Sequence, residues 1–292
     1  MKKKINLILA CSDLGVCVDG TSLGPEILCQ EIDKKDINDI KIVKQDKEYV
    51  KDKSKANKEK NLDEINKVNE EIYMAVKDSL NNDCFPITIG GDHSIVIGSA
   101  LASISKYDNL GIIWFDAHGD YHTLDTTETG NIHGLPFAVV TGYENRKLSL
   151  FHDKKYFDCK KAVVFGARDI DMPYELNNLK DAGVTIITTD DIKKYGIETM
   201  YKKAFDIASN GTNGIHISFD IDCIDPMIAP GVSVPVKDGL NLDELNSFMG
   251  YAVSNKELIK SIDVVEFNPL RDKDGVTKDI ALGILNKIIK NI

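Results

Sequence analysis

Along the chain, short apolar runs alternate with longer stretches in which apolar positions recur every three or four residues, the two periods that separate strands from amphipathic helices. INLILA (5–10), FPITIG (85–90), LGIIWFDA (110–117), AVVFGA (162–167), VTIIT (184–188), GIHISFDID (214–222) and IKSIDVVEF (259–267) have strand length and are followed by turn residues. Their apolar positions run on almost without alternation, as in parallel strands covered by helices on both faces. The order strand, helix, strand predicts an α/β fold. It is expected as a single three-layer α/β/α domain over residues 1–292 with a mostly parallel central sheet.

Charge narrows the partners. The net charge of −10 is the wrong sign for gripping a phosphate backbone, so no nucleic acid partner is expected. The opening MKKKINLILACSDLGVC has a basic flank and an apolar run, but Ser12 and Asp13 break it. No stretch approaches the ~20 apolar residues that span a bilayer, so no membrane partner is expected either. Six cysteines without a CxxC pair suit a reducing cytoplasm. The lysine- and acid-rich stretch from Lys44 to Glu71 reads as a solvated surface loop and helix rather than an interaction tail.

Candidate chemistry begins at WFDAHGDYH, where Asp116, His118 and Asp120 occupy every second position after an apolar run, and so share one face at the strand's tip. SFDIDCIDP repeats the device with Asp220 and Asp222. His93, in PITIGGDHS, follows a strand that runs into Gly90 and Gly91. The C-terminal ends of strands in an open α/β sheet are where ligands bind. Ionised carboxylates beside apolar strands need a common partner, and divalent cations supply one. Four carboxylates and two imidazoles without a thiolate suit manganese better than structural zinc. A pair of ions bridged by aspartates would activate a water between them, which points to hydrolysis.

GGDHS, DAHGD, GNIHG, SFDIDCIDP and VEFNP, in this order and spacing, resemble the arginase and agmatinase (ureohydrolase) family, and the resemblance covers essentially the whole chain. It implies an arginase-like fold and two Mn²⁺ per subunit. One ion would be held by His93, Asp116, Asp120 and Asp220, the other by His118, Asp116, Asp220 and Asp222. A bridging hydroxide, oriented by Asp120, would attack a guanidinium carbon. His133 in GNIHG would be the proton shuttle, and Glu266 in VEFNP the carboxylate that receives the guanidinium. GNIHGLP is more similar to arginases than to agmatinases, which implies cleavage of L-arginine to L-ornithine and urea. The substrate's far end would be read by His122, Thr127, Thr129, Asn131, Asp171 and Glu175. A homo-oligomer, trimer or hexamer, is also implied.

Two departures bear on the substrate. His122 stands where the arginase pattern has Asn, and Glu175 lies four residues after Asp171 where the pattern has three. An agmatinase or another guanidino-acid ureohydrolase such as a guanidinobutyrase would explain both, and so would drift among arginases. A catalytically silent binding or regulatory relative would be expected to lose ligands, which this sequence keeps. Outside the motif set, His216 reads as a core or supporting histidine and His152 as solvent-facing. Cys223 reads as a thiol near the metals, open to thiol reagents. Asp92 and Ser94 read as groups that fix the tautomer of His93.

Overall fold

Each of the apolar runs above becomes a strand in the computed structural model, which describes residues 3–54, 56–144, 147–149, 151 and 153–292. The strands are β1 (Lys4–Cys11), β2 (Ile37–Lys44), β3 (Cys84–Gly90), β4 (Gly111–Phe115), β5 (Ala162–Ala167), β6 (Thr185–Thr188), β7 (Ile215–Asp220) and β8 (Ile259–Val265). They form one eight-stranded sheet in the order β2-β1-β3-β8-β7-β4-β5-β6, and every pairing is parallel.

β2 was not visible in the apolar pattern because INDIKIVK is half polar and its apolar residues form no continuous run. It lies at the sheet's edge, where Val43 alone of its residues is buried and Lys41 and Lys44 reach Asp78 and Glu26. An edge strand needs no second apolar face, and its lysines discourage pairing with another chain.

Side chains alternate across the two faces of the sheet, so each interior strand feeds two cores. In β4, Ile113 and Phe115 point to one and Ile112 and Trp114 to the other. The first core is closed by α1 (Gly24–Glu31), α6 (Thr189–Tyr195), α7 (Ile197–Ser209), α8 (Leu242–Ser254) and α9 (Val276–Asn291). The second is closed by α2 (Leu62–Asn81), α3 (Val96–Tyr107), α4 (Pro136–Val140) and α5 (Tyr174–Ala182). This is the expected three-layer arrangement. No described helix is long and apolar enough to cross a membrane.

The chain builds β1 to β3, skips two places to lay down β4 to β6, and returns to fill the gap with β7 and β8. Four strands distant in sequence therefore end side by side, at the kind of crevice where α/β sheets bind ligands. The Lys44–Glu71 stretch is a largely exposed loop leading into α2, as expected, but two of its lysines turn inward and anchor it. Lys51 pairs with Asp13 and Asp19 at 3.1 and 2.9 Å, and Lys60 is 2% exposed.

Candidate active site

The floor of the site comes from the tips of β3, β8, β7 and β4. His93 follows the turn after β3, where Gly91 is forced: a Cβ there would lie 1.8 Å from the Ser12 carbonyl oxygen. That close approach lets Gly91 N–H donate to Ala10 at 2.8 Å, locking the turn against β1. After β4, Asp116 accepts the His118 N–H at 2.7 Å on one oxygen and the Trp114 indole N–H at 2.9 Å on the other. After β7, one oxygen of Asp220 accepts the Asp222 N–H at 2.7 Å, and one oxygen of Asp222 accepts the Ala117 N–H at 3.1 Å. Backbone donors thus leave the second oxygens of Asp220 and Asp222 facing inward, and both oxygens of Asp116, each already accepting a hydrogen bond, face inward with them.

Those oxygens converge on the two imidazoles. His93 Nδ1 lies 3.0, 3.1 and 3.2 Å from oxygens of Asp116, Asp120 and Asp220. His118 Nδ1 lies 3.2 Å from Asp116 and 3.0 Å from Asp222. Two groups with metal-ligand spacing result, His93/Asp116/Asp220 and Asp116/His118/Asp222, joined by Asp116. Asp120 approaches the first through His93, while Asp220 belongs to the first group and not to the second.

The electrostatics are those of crowded, buried carboxylates. Burial, then the Asp116 charge, pushes the Asp120 carboxyl up to about 7. Burial followed by neighbouring carboxylates raises Asp220 and Asp222 as well. Burial opposes the charge of Asp116 too, but His118 and His93 hold it well below the usual carboxylate range. His118 Nε2 is buried without a hydrogen-bond partner among the described residues, and His93 Nδ1, though close to three carboxylates, is aligned for a hydrogen bond with none of them. Orphaned imidazole nitrogens among carboxylates that resist ionising fit a pair of divalent cations, which would satisfy both.

Above this floor, Glu266 follows β8 with φ +66°, a left-handed backbone that non-glycine residues adopt at some cost. Asp120, at φ +49°, shares the feature. One Glu266 oxygen, Oε1, accepts the His93 N–H at 2.9 Å and lies 3.1 Å from His133 Nδ1. Its other oxygen, Oε2, is buried without a partner. Burial opposes protonation of His133, but Glu266 outweighs it and raises the imidazole above its usual range.

A cavity of about 240 Å³ opens over these groups. It is lined by His118, Asp120, Asp220, Asp222, His133 and Glu266, and on its outer side by His122, Thr127, Thr129, Asn131, Asp171 and Glu175. The two departures meet in space: His122 Nε2 lies 2.9 Å from Asp171 Oδ2. Glu175 is buried, and its two oxygens accept backbone N–H groups of Tyr121 and Asp171 at 2.9 and 3.0 Å. Thr127 accepts the Gly130 N–H, and Thr129 the Asn131 N–H, so both hydroxyls shape the loop. Asp169, Glu128 and Val234 also line the cavity and carried no signal in the motifs.

Ser218 was missed by sequence reading. Its hydroxyl sits 2.8 Å from His93 Nε2, so Ser218 sets the ring's orientation, while the His93 face stacks on Trp114 at 4.1 Å. The signal was present: Ser218 shares a strand face with Asp220, two residues on. The expected tautomer role of Asp92 and Ser94 is corrected accordingly. Asp92 accepts the Ser94 and Gly15 N–H groups and makes the turn. His216 is in the core, 2.9 Å from Asp263 and 2.7 Å from Ser261. Cys223 is fully buried and burial raises its thiol well above the usual range, which removes the expected openness to thiol reagents. His152 lies outside the described residues.

With this geometry in place, residues 3–290 match the model of the arginase family. The arginase of Staphylococcus aureus (strain COL) is 34% identical over 97% of this chain and 96% of its own length. That of Bacillus subtilis (strain 168) is 32% identical over 99% and 98%. Among solved structures, the native arginase of Bacillus caldovelox superposes with a TM-score of 0.91 at 29% identity, covering 98% of both chains. The arginase of Entamoeba histolytica, solved in complex with L-ornithine, superposes with a TM-score of 0.90 at 26% identity over 100% of both.

Proposed function

Because this chain belongs to the arginase family, we propose that it is a metal-dependent hydrolase that cleaves the guanidinium of L-arginine, giving L-ornithine and urea. The observation that carries this reading is the buried, unpartnered Oε2 of Glu266. It sits over a floor of histidines and aspartates in a cavity of about 240 Å³. A buried carboxylate oxygen without a donor is costly, and a planar cation with N–H groups is its complement.

His93, Asp116, Asp120 and Asp220 would hold one metal ion, and His118, Asp116, Asp220 and Asp222 the other. Manganese is the ion proposed, two per subunit, because the donors are oxygen and imidazole nitrogen without a thiolate. When bound, such a pair supplies a water of lowered pKa as nucleophile and neutralises the buried carboxylates. Glu266 draws the guanidinium down and fixes its plane. Asp120 accepts a proton from the attacking water. His133, whose protonated form is favoured by Glu266, gives a proton to the departing amine nitrogen, so that one water is consumed and urea and the amine leave. On the outer side, Asn131 and Thr129 would meet the carboxylate of the amino acid. Asp171, with His122 at 2.9 Å, would meet its ammonium. Glu175, saturated by backbone donors, would hold the Asp171 loop in place.

The whole chain is read as one unit built on the single sheet, forming a homo-oligomer of three or six copies. Six free cysteines support a cytoplasmic setting. Glu266→Gln tests the core of the proposal. Urea release from L-arginine by the Mn²⁺-loaded protein is expected to fall by about 10²-fold or more with metal content unchanged. Full activity in that variant would contradict the assigned role.

A further inference from the structure

A buried cation stands behind the outer wall of the cavity with no carboxylate at ion-pair distance among the described residues, Asp52 feeling its charge only from farther off. Lys60 is 2% exposed, and its ammonium donates to Asn131 Oδ1 at 2.8 Å and to Cys17 Sγ at 3.2 Å. The Cys17 thiol donates to the same Oδ1 at 2.9 Å. None of the described ion pairs involves Lys60. Burying an ammonium on dipoles alone is expensive, so Lys60 is poorly explained as a stabilising device.

Its chemistry settles the orientation of Asn131. An ammonium carries three donors and no acceptor, so the amide atom facing it must be the oxygen. The amide nitrogen is then the group left over, and it has no partner among the described residues, while Asn131 lines the cavity. The adjoining backbone allows no slack. Gly130 has φ +68°, and a Cβ there would lie 2.1 Å from the Asn57 carbonyl oxygen, so the loop carrying Lys60 is pressed against the loop carrying Asn131. A positive charge on Oδ1 also polarises the amide and strengthens the N–H groups on its far side.

We infer that Lys60, assisted by Cys17, is a positioning residue that turns the donor side of Asn131 into the cavity and so selects guanidino substrates whose far end carries an anion. This rests on the reading of Asn131 as a wall of the substrate site. A substrate ending in a bare ammonium, such as agmatine, would meet a donor where it needs an acceptor.

A double-mutant cycle tests it: Lys60→Met, Asn131→Ala and the pair, assayed for urea release in the Mn²⁺-loaded protein. Lys60→Met is expected to raise KM for L-arginine about tenfold with kcat within about twofold, the loss of one charge-assisted contact's influence. In the Asn131→Ala background the same change is expected to leave KM unmoved. Cys17→Ala, at a partly exposed position, covers the case in which Lys60→Met does not fold. It should raise KM about twofold, again only while Asn131 is present. Equal effects in both backgrounds, or an unchanged KM in the single variants, would overturn the inference. Turnover of L-arginine by the unmutated protein reports separately on the substrate reading, and the cycle is run on whichever guanidino acid that protein hydrolyses.

Discussion

The floor and the rim of the cavity are built on different principles. Floor residues sit directly on the tips of four hydrogen-bonded strands, and His93, Asp116, Asp220 and Asp222 are all 4% exposed or less. Backbone N–H groups hold their carboxylates, and His93 is clamped between Ser218 and the Trp114 ring. Rim residues sit on the loop 122–131 and on the loop 169–173 with the start of α5, where Thr129 and Asp171 are exposed and His122 meets Asp171 from one loop to the other. Geometry that must be held to a fraction of an ångström for metal and proton chemistry is thus supplied by the sheet. The choice of substrate is left to segments that can change without disturbing it.

The largest expected effect tests the floor. Asp116→Ala removes the carboxylate common to both ligand groups and is expected to lower kcat by at least about 10³-fold and to empty the site of metal. Metal analysis of the purified variant checks this, and retention of both ions would break the distinction between floor and rim. Asp171→Ala, by contrast, should act on KM and leave the metal content untouched.

Metal removal sharpens the same contrast through pH. Asp120, Asp220 and Asp222 have raised pKa values in the folded chain, so the folded state binds protons that the unfolded state has released. Their contribution to stability is complete below the ordinary carboxylate pKa of ~3.9 and is lost as pH rises through the folded values, about 7 for Asp120. His93 and His118, also raised, act in the same sense at higher pH, while Asp116, lowered, opposes it in acid. The chelated protein is therefore expected to melt lower at about pH 7.5 than at about pH 5, and the Mn²⁺-loaded protein to lose that trend. Thermal melts of both forms decide it.

A smaller effect is expected at Ser218. Ser218→Ala frees the His93 ring and should weaken metal affinity about 10–100-fold, measured by titration with a competing chelator. Smallest is His122→Asn, which removes the partner of Asp171. A change in KM of about threefold with kcat unaltered is expected, within the range of one exposed ion pair.

The floor was legible because its residues crowd the ends of apolar strands, but not through strand alternation: β4 stops at Phe115, Asp116, His118 and Asp120 lie in the loop beyond it with Asp120 at φ +49°, and Asp222 lies in a short 3-10 turn after β7. The central strands were legible as nearly unbroken apolar runs, because both of their faces are covered. β2 was hidden because an edge strand needs only one covered face. Lys60 was hidden more thoroughly. In a run of lysines and acids nothing local distinguishes Lys60, whose ammonium folds inward, from its exposed neighbours, since its burial is decided by Cys17 and Asn131, 43 and 71 residues away. The pairing of His122 with Asp171 was likewise invisible, although each residue was singled out, because the contact is made between loops.

The central claim is that this cavity opens a guanidinium whose far end is an amino acid. It is tested most directly by kcat/KM for urea release from L-arginine, agmatine and 4-guanidinobutyrate in the Mn²⁺-loaded protein, with His133→Ala as the control for contaminating activity. The account predicts that L-arginine is preferred and that His133→Ala abolishes its turnover. Preferred hydrolysis of agmatine, or turnover of arginine that survives in His133→Ala, would contradict it.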